Sequence, residues 1–206
     1  MEEAAEKHKD YEGAKLGMWL FLATEFLLFV GPLLLYYAYR YRYAPGFAAG
    51  SAELGRTPGT INTMVLLTSS LTMALAVSAV RKGMKKAGAV LLAATISLGL
   101  VFLCVKYFEW SSHIAEGVYP GGAALASMEA GKPGEALFFG LYYLMTGIHG
   151  LHVLGGIVLI AVMLKMVATG PVDSRDYSPL ENTGLYWHFV DIIWIYLFPL
   201  FYLAGR

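Results

Sequence analysis

The sequence predicts an all-α, polytopic membrane protein: a bundle of five transmembrane helices. Three observations predict this. The 206 residues are 57% hydrophobic and 14% aromatic, with a mean hydropathy of +0.56. Only 15% are charged, against about 25% in ordinary soluble domains. The apolar residues also fall into five long runs, and a bilayer core of about 30 Å needs about 20 helical residues to cross it. Inside lipid the backbone must satisfy its own polar groups, so continuous apolar runs read as helices. The alternating segments of about ten residues that mark a membrane β-barrel do not occur.

Residues 1–15, "MEEAAEKHKDYEGAK", form a mixed-charge N-terminal segment. It lacks the basic-then-apolar pattern and small-residue cleavage site of a secretory signal, and it is too acidic for a transit peptide. The first apolar run is therefore expected to be retained. It covers about 16–39, "LGMWLFLATEFLLFVGPLLLYYAY", and opens a membrane domain of residues 16–206. The second run covers about 60–80 and the third about 88–112, ending "FLCVKYFEWSS". The fourth, about 136–168, exceeds the hydrocarbon thickness at ~1.5 Å per residue, so tilt or protrusion must absorb the excess. The fifth covers about 183–204. The connectors at 40–59 and 113–135 read as loops.

Orientation follows from the basic residues. The short connector "RKGMKKAG" carries Arg81, Lys82, Lys85 and Lys86, and short basic loops stay cytoplasmic. This places the N-terminus and the 81–88 and 169–182 connectors inside, and the 40–59 and 113–135 connectors and the C-terminus outside. Arg40, Arg42 and Arg56 oppose this assignment but are outweighed. The formal net charge is zero, so there is no basic footprint for nucleic acid. One cysteine, Cys104, excludes an internal disulfide and a cysteine-rich metal cluster.

Ionisable residues inside a span are costly and are functional candidates by default. Five stand out: Glu25, His149, His152, His188 and Asp191. Glu25 lies roughly 13 Å into the first span. It reads either as a proton-exchanging carboxyl that links helices or as a protonated carboxyl satisfied locally. His149 and His152, in "TGIHGLHVLGGI", share a helix face at i,i+3 spacing. One helix cannot place two imidazoles on opposite sides of a haem, and a metal needs further ligands at matching depth. His188 and Asp191, in "WHFVD", could nominally supply them, but hydrogen bonding to neighbouring helices is the simpler reading. Gly147, Gly150, Gly155 and Gly156 around the pair favour close helix packing. The five polar groups are expected in one layer near the midplane. Ser69, Ser70, Thr68 and Thr72 read as interhelical hydrogen-bonding groups. Lys106, Glu109 and His113, at helical spacing near the outer surface, read as a solvated ion-pair ridge in preference to a site.

Taken in order, "WLFLATEFLLFVG", "LLTSSLTMALA", "KYFEWSSHIAEGVYPG", "TGIHGLHVLGG" and "YWHFVDIIWIYLFPLFYL" resemble subunit III of the haem–copper respiratory oxidases, from about residue 15 to the end. The chain resembles the short, five-span bacterial form, which lacks the first two helices of the seven-span form. The resemblance implies a non-catalytic core subunit of a proton-translocating oxidase in a bacterial inner membrane. It implies haems and copper in partner subunits and none here, structural phospholipid as the bound cofactor, and no metal. The implied partners are subunit I, subunit II and a small subunit IV. The resemblance makes Glu25, His149, His152, His188, Asp191 and Glu109 packing, lipid or proton-network positions. The motifs look closer to cytochrome c oxidases than to quinol oxidases, with a nitric-oxide-reductase-associated homologue as a third form. Readings from other classes are a stand-alone membrane cytochrome or metal enzyme using His149, His152 and His188, or a proton-coupled transporter using Glu25 and the histidines. The transporter reading lacks the inverted repeats such proteins show.

Overall fold

The computed structural model describes residues 10–205. In chain order its helices are α1 (Tyr11–Arg42), α2 (Ala44–Glu53), α3 (Arg56–Arg81), α4 (Lys85–Ala115), α5 (Ala123–Gly131), α6 (Pro133–Thr169) and α7 (Ser178–Tyr202). No strand occurs among the described residues. Helices α1, α3, α4, α6 and α7 are long and apolar enough to cross a membrane. They coincide with the five expected runs but are longer, apart from the last two residues of the fifth, because helical hydrogen bonding continues past the apolar stretch. At α1 the Asp10 carboxylate caps the helix, accepting from the Gly13 N–H at 2.7 Å. Residues 1–9 of the expected N-terminal segment lie outside the described residues.

Two helices were not expected. The connectors read as loops contain α2, "APGFAAGSAE", and α5, "AALASMEAG". Both are rich in alanine, the strongest helix former, and α2 has a proline in its first turn, where its missing N–H costs nothing. Helix α2 lies against the start of α6 so closely that a methyl on Gly46 would sit 2.8 Å from the Gly134 Cα.

The long helices are buried unequally. Helix α7 buries thirteen residues, among them Trp187 and Trp194. Helix α1 buries only Leu22, Phe29 and Tyr36, a single seam at seven-residue spacing. The glycines around the α6 histidines also differ. A methyl on Gly156 would meet the Trp187 ring at 2.7 Å, whereas Gly150 has open space beside it. Close packing therefore accounts for Gly156 and not for Gly150.

Candidate functional site

The spans carry two separate polar groupings. The first corrects the reading of Lys106 and Glu109 as a solvated ridge: they are 7% and 8% exposed. Lys106 Nζ donates to Glu109 Oε2 at 3.1 Å, to the Tyr142 hydroxyl at 2.8 Å and to the Tyr202 hydroxyl at 3.0 Å. Both tyrosine hydroxyls donate in turn to Glu109 Oε1 at 2.6 Å. All three ammonium hydrogens are used, and the carboxylate accepts three bonds. The Trp194 ring adds a cation–π contact at 5.6 Å. Tyrosine hydroxyls take the place of water, which is why this ion pair sits inside the bundle. The set ties α4 to α6 and α7. His113, one turn beyond Glu109, is half-buried, with its ring 6.1 Å from Phe139. It joins Glu53, Glu109 and Glu116 around an open groove. Burial, and then the charge of Glu135, holds the Glu53 carboxyl above its ordinary range.

The second grouping joins α1 to α6. His152 Nε2 lies 2.7 Å from Glu25 Oε2, and His152 Nδ1 lies 2.7 Å from the Ile148 carbonyl. A carbonyl can only accept, so Nδ1 carries a proton. One further proton then lies between Nε2 and the carboxyl oxygen. The pair is net neutral whether that proton sits on the imidazole or on Glu25. The Tyr186 hydroxyl donates to the His152 carbonyl at 3.1 Å, which brings α7 to the same place.

The remaining expected residues do not join this pair, so the single polar layer is not a single cluster. His149 does not share the partners of His152. It is fully buried, stacked on Trp194 with centroids 5.2 Å apart and edge-on to Phe102, and neither nitrogen has a hydrogen-bond partner. The 60° between positions i and i+3 is enough to send the two imidazoles to different neighbours. His188 Nδ1 lies 2.7 Å from Ser70 Oγ on α3. Asp191, one turn on, is 3% exposed, and its carboxyl faces the same Ser70 hydroxyl that meets His188, without a close hydrogen bond. Ser69 Oγ accepts from the Trp187 indole N–H at 3.1 Å, and Thr72 bonds Thr95 at 2.8 Å. Thr68 bonds its own helix at Met64. Among the described residues, no three His, Cys, Asp or Glu side chains come together as a metal site.

Sequence reasoning missed Tyr142 and Tyr202 as partners, whereas Ser70 bonds between helices as expected, to His188. Tyr142 was findable: it precedes His149 by seven residues, and Gly156 follows by seven, so all three share the buried seam of α6. Tyr202 carried no such signal.

Long apolar helices joined by buried polar contacts define a multi-pass helical membrane protein. The family model described as cytochrome c oxidase subunit III matches residues 3–206, and the chain belongs to that family. It is similar to subunit 3 of the cytochrome bo(3) ubiquinol oxidase of Pseudomonas aeruginosa, with 30% identity over 189 residues, covering 92% of this chain and 84% of the relative. It is 32% identical over 191 residues to cytochrome c oxidase subunit 3 of Alkalihalophilus pseudofirmus, covering 92% and 86%. It is 29% identical over 197 residues to a heme-copper oxidase subunit I+III of Aeropyrum pernix, covering 91% of this chain and 22% of that one. The chain therefore functions as subunit III of a haem–copper oxidase, an oxidoreductase complex.

Proposed function

We propose that this chain is the non-catalytic member of the complex, carrying no haem or copper of its own, and that it packs beside subunit I. One observation carries this reading. The ionisable groups within the spans that form hydrogen bonds form them with this chain's own helices: Lys106 with Glu109, Glu25 with His152, and His188 with Ser70. The relative whose name joins subunits I and III supports subunit I as the main partner. Subunit II and a small subunit IV complete the proposed assembly, and phospholipid covers the exposed apolar faces. The end bearing Arg81, Lys82, Lys85 and Lys86 faces the cytoplasm of a bacterial inner membrane, with the N-terminus on the same side and the C-terminus outside. Residues 1–15 form the cytoplasmic segment and 16–206 the membrane domain. Within this assembly the Glu25–His152 pair holds one exchangeable proton and supports proton uptake and the durability of the complex. Electrons enter through other subunits, from cytochrome c in the reading the motifs favour.

Purification of the complex with Glu25→Gln in this chain tests the reading. The haem spectrum is expected to match the parent, with activity declining sooner under turnover. A lost haem signal in an otherwise assembled complex, or haem found on the isolated chain, overturns it.

A further inference from the structure

A groove of about 390 Å³ runs between α1 and α7, lined by Trp19, Leu22, Ala23, Phe26, His188 and Ile192 among others. Its one ionisable lining group is the His188 imidazole. Nδ1 of that ring is engaged by Ser70 Oγ on α3 at 2.7 Å. Nε2 makes no hydrogen bond among the described residues, and the half-buried His188 lines the groove.

Depth restricts what can answer it. Lys15 and Glu181 approach to 4.0 Å and mark one level at the N-terminal ends of α1 and α7. From that level, Trp19 lies about 6 Å along α1, His188 about 10 Å along α7, and Phe26 and Ile192 about 16 Å along their helices, at 1.5 Å per residue. With the charged Lys15–Glu181 level taken as the edge of the hydrocarbon, the groove falls within about one leaflet. A phospholipid headgroup stays at the boundary, and its acyl chains carry no hydrogen-bonding atom at the depth of His188. A neutral ring with its own oxygen and an apolar tail meets both demands. Trp19 and Phe26 supply aromatic faces for such a ring, and the volume suits a small ligand site.

We propose that this groove binds the head ring of an isoprenoid quinone or quinol, with one ring oxygen hydrogen-bonded to His188 Nε2. The two redox states use the two tautomers of one imidazole. With Ser70 donating to Nδ1, Nε2–H donates to a quinone carbonyl. With Nδ1–H donating to Ser70, Nε2 accepts from a quinol hydroxyl. The site binds the ring and transfers no electrons. It is independent of which donor the complex uses, because such rings dissolve in the membrane itself.

The test uses the intact oxidase complex in nanodiscs of saturated phosphatidylcholine, photolysed with a quinone carrying a ring azide, with adducts mapped by mass spectrometry. Labelling is expected on residues 19–26 and 185–192 and is displaced by excess unlabelled quinone. His188→Leu lowers it by about five- to tenfold, the worth of one hydrogen bond. Ala23→Phe fills the groove from an exposed position and removes the labelling with His188 intact, so the test survives if the His188 variant does not assemble. Even labelling of all lipid-facing helices, or labelling unchanged in both variants, overturns the proposal. Labelling seen only after the other subunits are stripped away means that a partner helix fills the groove, and it also overturns the proposal. A second arm uses phosphatidylcholine with a photoreactive acyl chain. If this labels the same residues and quinone does not displace it, the groove is an acyl-chain site and the proposal fails.

Discussion

Lys106 and His152 both sit within apolar helices, but they are provided for differently. Around Lys106 four side chains close on one another, using every ammonium hydrogen and both carboxylate oxygens. Around His152 there are two side chains, 14% and 21% accessible, with one proton between them and two places to put it. The closed set leaves no bond free for exchange, so its contribution is to hold three helices together. The open pair makes a single hydrogen bond between α1 and α6 at the edge of the bundle. The number of partners therefore separates the two groupings: one is a closed four-group set, the other a single contact between α1 and α6.

The largest expected effect comes from breaking the closed set. Glu109→Ala leaves an ammonium ion buried without its counter-charge, at a cost of about 3–5 kcal/mol. Thermal or denaturant unfolding of the detergent-solubilised chain measures this. The double variant Lys106→Met with Glu109→Gln removes both charges and is expected to cost less than the sum of the single changes. Additive losses would mean that the four groups do not act as a set. A smaller effect follows at the α6–α7 contact, where Gly156→Ala forces a methyl against Trp187 and costs about 1–3 kcal/mol; Gly150→Ala, in open space, is expected to be neutral.

At the open pair, Glu25→Gln keeps a hydrogen-bonding group and removes the second site for the shared proton. Stability is expected to fall by about 0.6 kcal/mol, the mean for a polar contact between membrane helices. His152→Phe in a Glu25→Gln background is expected to add little to the loss of proton uptake, since one proton is lost only once. A full additional loss would show that the two residues act separately.

The smallest effect lies outside the spans. The backbone N–H groups of Arg175 and Asp176 donate to Asp173 Oδ1 at 2.8 and 3.2 Å and hold that carboxyl below its ordinary value of 3.8. Because the folded form binds the proton less readily, the stabilisation is present above pH 3.8 and is lost as the pH falls further. Protection of the Arg175 and Asp176 amides, measured against the intrinsic exchange rate at each pH, is expected to fall only in that acid range. Asp173→Ala should remove this pH dependence.

The five long helices were legible because each is written locally, as a run of apolar residues whose length matches a bilayer. Helices α2 and α5 were not, because short alanine-rich segments resemble loops until a neighbour is known. The polar groups divide in the same way. Glu25 and His152 drew attention as ionisable residues in apolar runs, but their pairing depends on how α1 leans on α6. Lys106 was misread because its position near the end of a span suggested water. The hydroxyls that replace that water come from Tyr142 and Tyr202, 36 and 96 residues away in sequence.

The narrow seam of α1 also orders events during synthesis. Helix α1 is made before α6, and its polar partner His152 lies 127 residues downstream of Glu25. At about 5–20 residues per second, Glu25 waits roughly 6–25 s before His152 emerges. The buried side chains Leu22, Phe29 and Tyr36 meet α6 and α7 no sooner. Helix α1 is thus in place before α6 and α7 can claim it, with only α2 in earlier reach, where Tyr36 meets Phe47. During that interval it must be held by lipid, by the insertion machinery or by a subunit already in place.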